Sequence, residues 1–440
     1  MLKSRLCIAF FAFAVGCAPA QKPLTDYVNP MLGTATLWDS VDLGFKPTKR
    51  TWGAEVFPGS SLPNAMVQVS PVTKFHSGAG YQYEDSVIYG FTHTNKGHWN
   101  LCHIPLLPVT GTPTPGDYCS PFSHERESAA PGYYQVFLDR YGVDAQLSST
   151  LRCAFHKYTY PAGAAASLLA DLQRSNEHVR AWDIRKEGDN VFAGWQQTGE
   201  KMYFYAVANR PVTGIEPVVE GDREVRIVRF GEGDGALELR IGFSFVSEKN
   251  ARENLEAEML GKSFAEVRSE ATATWNDLLG RIRVEGGTER EKGLFYSSLY
   301  RSFLWPALRS DVNGEFTDVD GKVINPGFRY YTGPSYWDDY RNKLILLGML
   351  APDVAADVIS SDTDKGEKRG GFMPTFFHGD HASAFVAGTY LRGNRGFDVN
   401  RAYNLVLRNA TVQGPSRPWL DEYIAKGYIS EMDVENPVTW

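Results

Sequence analysis

The chain has 440 residues, enough for two domains, with hydrophobic residues at 43%, charged residues at 22% and a formal net charge of −7. That acidic balance argues against nucleic acid as a partner and agrees with a large soluble protein. Aromatic residues reach 13% and occur in loop-like segments as well as apolar runs, so most are expected in the core and a minority at a ligand.

At the N-terminus, Lys3 and Arg5 precede an apolar run from Leu6 to Val15 that is too short to span a bilayer, and Ala18-Pro19-Ala20 offers a small-residue cleavage site. Residues 1–20 therefore read as an export signal. Ala14-Val15-Gly16-Cys17 also matches a bacterial lipoprotein processing site, apart from Ala14 where Leu is usual, so membrane attachment through a lipidated Cys17 and release as a soluble periplasmic or extracellular protein are both open. After cleavage Cys102, Cys119 and Cys153 remain, which allows at most one disulfide and forms no metal-binding pair.

Residues 21–246 alternate short β-type runs with Gly and Pro: 65–69, 133–138, 145–151, 154–160, 201–207, 224–229 and 237–244. Many alternate apolar with polar side chains, which predicts a β-sandwich. After Val246 the period becomes helical. Ser263-Phe264-Ala265-Glu266 reads as a capping box opening a linker helix within 247–287, and Thr288-Glu289-Arg290-Glu291 as a second box opening the helical region 288–440. Asp320-Gly321 marks a hairpin turn, and helices are expected over 340–350, 351–360, 381–392, 398–410 and 418–426.

From Trp52 to His93 the chain is dense in Gly, aromatic and polar residues, the mixture a sugar site needs: rings to stack on a pyranose, donors and acceptors to fix its hydroxyls. Phe57-Pro58-Gly59-Ser60, Pro63-Asn64-Ala65-Met66-Val67 and Gly90-Phe91-Thr92-His93-Thr94 stand there in order. Downstream come Pro131-Gly132-Tyr133-Tyr134, the run from Ala154 to Pro161, Asn250-Ala251-Arg252 and Tyr336-Trp337-Asp338-Asp339-Tyr340-Arg341. Together these motifs resemble glycoside hydrolase family 92, the calcium-dependent, exo-acting α-mannosidases. The resemblance implies an α+β multidomain fold, an N-terminal β-sandwich followed by an (α/α)-barrel of helical hairpins. Residues 288–440 amount to about half such a barrel, so the chain is expected to be C-terminally truncated. It implies exported removal of terminal α-linked mannose from glycans by an inverting, Ca2+-assisted mechanism. The family's Gly-Asn-Glu-Pro segment and Gly-Gln-Met-Ser-Ala-Trp region, which supply metal ligands and the catalytic base, do not occur here. No metal ligand is identifiable, the Ca2+ ligands are expected outside these residues, and the chain as given is expected to be inactive. The alternatives are a non-catalytic carbohydrate-binding lipoprotein and a related glycosidase or phosphorylase acting on another sugar.

A second departure lies at residues 370–381, where the family's Asn-Glu-Thr, carrying its general acid, has no counterpart. Asp380 and His381 are the substitute candidates, against a helix N-cap and a hydrogen-bonded imidazole. Trp337 and Asp338 are the main substrate-binding candidates, an indole face and a carboxylate able to accept two sugar hydroxyls at the start of a barrel helix. Arg341 holds Asp338, binds substrate or forms a surface pair. Phe57 and Gly59 suit close approach of backbone to a ligand, His93 completes the resembled motif, and Trp99 is either a sugar platform or core.

Overall fold

The computed structural model describes residues 22–36, 44, 55–94, 101–233, 235–375, 379–414 and 417–430. The export signal, Cys17 and the loop carrying Trp99 lie outside them.

Two antiparallel sheets form the first half. One runs, in spatial order, Ser60–Ser61, Gln68–Val72, Gly90–Thr92, Leu106–Val109, Ser167–Ala170, Arg223–Phe230, Val212–Glu220. The other runs Ala181–Gly188, Val191–Gln197, Lys201–Ala208, Leu237–Ser244, Cys153–Thr159, Val143–Ser149, Tyr133–Leu138, Glu127–Ala130. Lys201–Ala208 buries every second side chain, as a strand with one wet face must. The inner faces share one core, with Val69, Phe91, Leu107 and Ile227 from the first sheet and Val136, Leu147, Phe204 and Ile241 from the second. Both sheets stay open, so this is the expected sandwich and not a barrel.

Several strands escaped the sequence pattern for identifiable reasons. Leu106–Val109 and Ser167–Ala170 are buried on both faces and show no alternation. Ala181–Gly188 is an edge strand with a single buried side chain, Ile184, so it offers no apolar period at all. None of Cys102, Cys119 and Cys153 is in a disulfide.

Helix α1 (Glu248–Glu258) lies on the second sheet, and α2 (Phe264–Leu279) and α3 (Glu289–Ser302) follow, each opened by the capping box expected for it. In α2 the buried Trp275 donates its indole N–H to the Ser61 carbonyl at 2.7 Å and packs on Tyr300 of α3. Phe316–Thr317 and Val323–Ile324 make the hairpin around Asp320-Gly321. The remaining helices are α4 (Tyr336–Asp339), α5 (Lys343–Leu350), α6 (Pro352–Lys368), α7 (His381–Leu391), α8 (Val399–Thr411) and α9 (Leu420–Lys426). Helix α5 packs on α6 and α7, and α8 on α6 and α7. No single helix among the described residues is long and apolar enough to cross a membrane.

Helix α6 outruns its expected end at Ser360 because its buried face turns polar. Asp362 and Asp364 are buried but satisfied, Asp362 by Lys365 and the Tyr336 hydroxyl, Asp364 by Lys368. An apolar period cannot reveal a helix face solvated by its own lysines.

The two halves are tied by buried polar contacts. Asn64 N–H donates to the Phe303 carbonyl at 2.6 Å, its side-chain amide to the Pro306 carbonyl at 2.9 Å, and Leu308 N–H returns to the Asn64 carbonyl at 2.9 Å. Asp311 accepts from Ser244, Asn250 and Asn254 at 2.7, 2.9 and 2.7 Å, while burial pushes its carboxyl pKa up. Arg152 and Glu258 pair at 2.7 Å, both largely buried.

Candidate functional site at the junction of the two halves

The segment from Glu55 to Phe57 leaves the sandwich beside the C-terminal end of α3 and the turn α4, and a pocket of about 170 Å³ opens there. It joins Phe57 from the first half to Asp338 from the second, with Glu55, Arg301, Trp305 and the Asp339–Lys343 pair around them. Asp338 accepts from the Ser335 hydroxyl, and Asp339 is held by Lys343 at 3.0 Å. Arg301 donates to the carbonyls of Pro30 and Leu32, leaves Nη1 buried without an acceptor, and is held down to about 10 by burial. Burial also raises the Glu55 carboxyl above its usual range. The surface thus offers one aromatic floor and charges of both signs, a set able to hydrogen-bond a polyhydroxylated ligand.

Trp337 stands next to Asp338 and is 43% exposed. Both were expected at the start of a barrel helix, and neither is there. They occupy the four-residue turn α4, because Asn342 breaks the chain and caps α5 with its own side chain. Arg341 lies in a second hollow of about 330 Å³ between α5 and α7, with Tyr340, Phe385 and Arg392. It donates to the Tyr340 hydroxyl at 2.7 Å and not to Asp338. The smaller pocket is the better candidate because it gathers residues from both halves.

Four expected site residues are placed elsewhere. Gly59 serves the sheet, since a Cβ there would collide with the Val69 carbonyl oxygen. His93 is fully buried in the sandwich. Its Nδ1 meets the Ile104 carbonyl at 2.9 Å, its Nε2 meets His156 Nε2 at 3.0 Å, and His156 Nδ1 meets the Tyr158 hydroxyl at 2.6 Å. The carbonyl can only accept, so His93 carries its proton on Nδ1, His156 donates from Nε2, and Tyr158 donates to His156. Burial holds His93 down to about 3 and His156 well below the ordinary value. Asp380 stands at the N-cap of α7 but caps no backbone N–H; it accepts from Ser383 and from Asn409 at 3.0 Å. His381 stacks on Tyr340 at 4.2 Å, and burial followed by Arg341 lowers its pKa.

Glu55, Arg301 and Trp305 were not found from sequence, although Glu55 sits two residues before the Phe57 motif. Among the described residues no group of three His, Cys, Asp or Glu side chains is arranged to hold a metal ion. The carboxylates of this pocket do not fit a calcium site, and no step is assigned to the ion.

The sequence model of the glycosyl hydrolase family 92 N-terminal domain matches residues 27–253, and that of the family 92 catalytic domain matches residues 250–439. The chain is 26% identical to the family GH92 α-mannosidase BT3965 from Bacteroides thetaiotaomicron, with a TM-score of 0.82 over 92% of this chain and 58% of that one. That enzyme is also known in complex with mannoimidazole. The inverting mannosidase BT2199 of the same organism shares the fold, with a TM-score of 0.81 at 23% identity over 94% of this chain and 59% of that one. A protein of Arthroderma benhamiae described as an uncharacterized secreted glycosidase is 24% identical over 93% of this chain and 56% of its own length. The chain thus spans under three fifths of these relatives' length. With both domain models matched in order and the junction pocket between them, the chain belongs to glycosyl hydrolase family 92.

Proposed function

We propose that the pocket between Phe57 and Asp338 holds a terminal α-linked mannose, and that the protein's activity is exo-acting hydrolysis of α-mannosides in glycans. The observation that carries this reading is the meeting of both family domains at one pocket lined by carboxylates, a guanidinium and aromatic rings. The names of the similar enzymes, one bound to mannoimidazole, support mannose as the sugar. Asp338 accepts sugar hydroxyls, Trp337 offers a ring face, and Phe57 closes the floor.

An inverting course needs an acid and a base roughly 6.5–9.5 Å apart on opposite faces of the sugar. The base-bearing Gly-Gln-Met-Ser motif is absent from these 440 residues, so the chain as given is expected to bind an α-mannoside without turning it over. Calcium assistance belongs to the same reading on the family resemblance alone. Export is supported by the secreted relative, and attachment through Cys17 remains part of the proposal.

Calorimetric titration with methyl α-mannoside tests the pocket. The native chain should bind, and Asp338→Ala should lose about 1.5–3 kcal/mol, tenfold or more, because it removes charge-assisted hydrogen bonds. Equal affinity in the two proteins rejects the assignment. A second reading, sugar binding without hydrolysis in any context, is favoured by the engagement of Asp380 with Ser383 and Asn409, which leaves it poorly placed as an acid. Turnover of an aryl α-mannoside above blank counts against that reading and against inactivity of the chain.

A further inference from the structure

Three carboxyl groups line the junction pocket, and two of them are engaged. Asp338 accepts from Ser335, and Asp339 is ion-paired with Lys343. Glu55 has no hydrogen bond or ion pair among the described residues. Its position is nevertheless enforced. Its backbone is held at φ 50°, in the left-handed region that a side chain other than Gly, Asn or Asp seldom adopts. Its carboxyl group lies against Gly78, where any Cβ would strike both oxygens. A strained backbone and a glycine gap thus hold an unengaged carboxyl in one place on a residue that lines the pocket, and strain of this kind concentrates at ligand-binding positions.

Partial burial with no cation or N–H donor beside it favours the neutral form of a carboxyl group. Arg301, the pocket's buried guanidinium, is bound instead to the Pro30 and Leu32 carbonyls, and Lys343 to Asp339. Lys74 and His76 are the titratable groups on the loop that carries Gly78. We propose that Glu55 contacts the bound sugar as a neutral carboxyl, donating a hydrogen bond to one of its oxygens while Asp338 accepts from its hydroxyls. The inference rests on the pocket being the mannose subsite. The upward displacement of the Glu55 pKa by burial agrees with it. The two carboxyls then play opposite parts, one donor and one acceptor, which sets the orientation of a ring bearing both kinds of group.

The test is binding of methyl α-mannoside to the full 440-residue chain, read by tryptophan fluorescence from pH 4.5 to 8.5, for the native protein, Glu55→Gln and Glu55→Ala. Native affinity should fall about threefold or more toward the alkaline end, as the carboxyl ionises and its donor is lost. Gln keeps a donor at every pH, so it should retain affinity within about twofold at pH 5 and flatten the profile; Ala should lose about fivefold or more at pH 5. A pH-independent native affinity, or Ala binding as well as native with the same profile, overturns the Glu55 assignment and leaves the pocket reading intact. No mannoside binding by any of the three, with an unchanged melting temperature, overturns the pocket reading and this inference with it.

Discussion

His93 and His156 face each other nitrogen to nitrogen at 3.0 Å in the interior of the sandwich, sharing one proton between two neutral rings. In the folded chain both pKa values are depressed, His93 to about 3. Unfolded, each ring takes up a proton below about pH 6.5, so the unfolded state binds more protons as the pH falls. Stability is complete above that range and is lost downward toward the folded values. By pH 5 the loss should be about 2 kcal/mol per imidazole. Urea midpoints measured between pH 7.5 and 4.5 check this, and His156→Phe should reduce the pH slope. An equal slope in both proteins would place the acid sensitivity elsewhere.

Trp337 stands 43% exposed beside Asp338, so its role is tested by affinity and stability together. Trp337→Ala should weaken methyl α-mannoside binding by about 0.5–1.5 kcal/mol, the scale of an aromatic contact. More than half of its surface is covered, so the melting temperature is followed alongside, and weakened binding with a melting temperature within about 2 °C of native identifies the sugar contact. A large drop in melting temperature with unchanged affinity would show a packing role instead.

Glu258 accepts from Arg152, from the Thr150 hydroxyl at 2.6 Å and from the Arg152 backbone at 2.9 Å. Glu258→Ala leaves the Arg152 guanidinium largely buried without its ion-pair partner. A cost of about 3–5 kcal/mol is expected in denaturant unfolding, well above that of an exposed pair. A change under 1 kcal/mol would mean that solvent reaches Arg152.

Chelation should leave the thermal melt of this chain unmoved, since its described residues assemble no metal-ligand group. Scanning calorimetry with and without excess EDTA, then with millimolar calcium, makes the comparison. A rise in melting temperature on adding calcium, which binding to the native state alone would produce, would reveal ligands among the residues outside the description.

The alternation in Lys201–Ala208 and the two capping boxes were legible because each is a local rule about backbone period or free N–H groups. Phe57 and Asp338 were legible only as family motifs, since nothing local says that Glu55–Phe57 and α4 share a pocket. His93 was misplaced for a related reason. Its motif was right, but a histidine just past Gly90–Thr92 turns inward or outward according to a pairing that sequence does not display, and here it meets His156 of a distant strand. Glu55 and Arg301 carried no spacing signal at all; their meaning comes from a carboxyl and a guanidinium nitrogen that find no partner among the described residues.

The change from strands to helices between Ser244 and Glu248 is sharp in sequence, yet it is no seam in the molecule. Ser244 lies upstream of it and Asn250, Asn254 and Asp311 lie downstream, and all four belong to one buried cluster. Asn64 reaches the other way, gripping Phe303, Pro306 and Leu308. A gene cut at that apparent border would strand polar groups in both pieces, each costing about 1–3 kcal/mol once its partner is gone. The sandwich is therefore not a portable unit: shuffling it onto another helical body would require the new body to bring its own aspartate to Ser244 and its own carbonyls to Asn64.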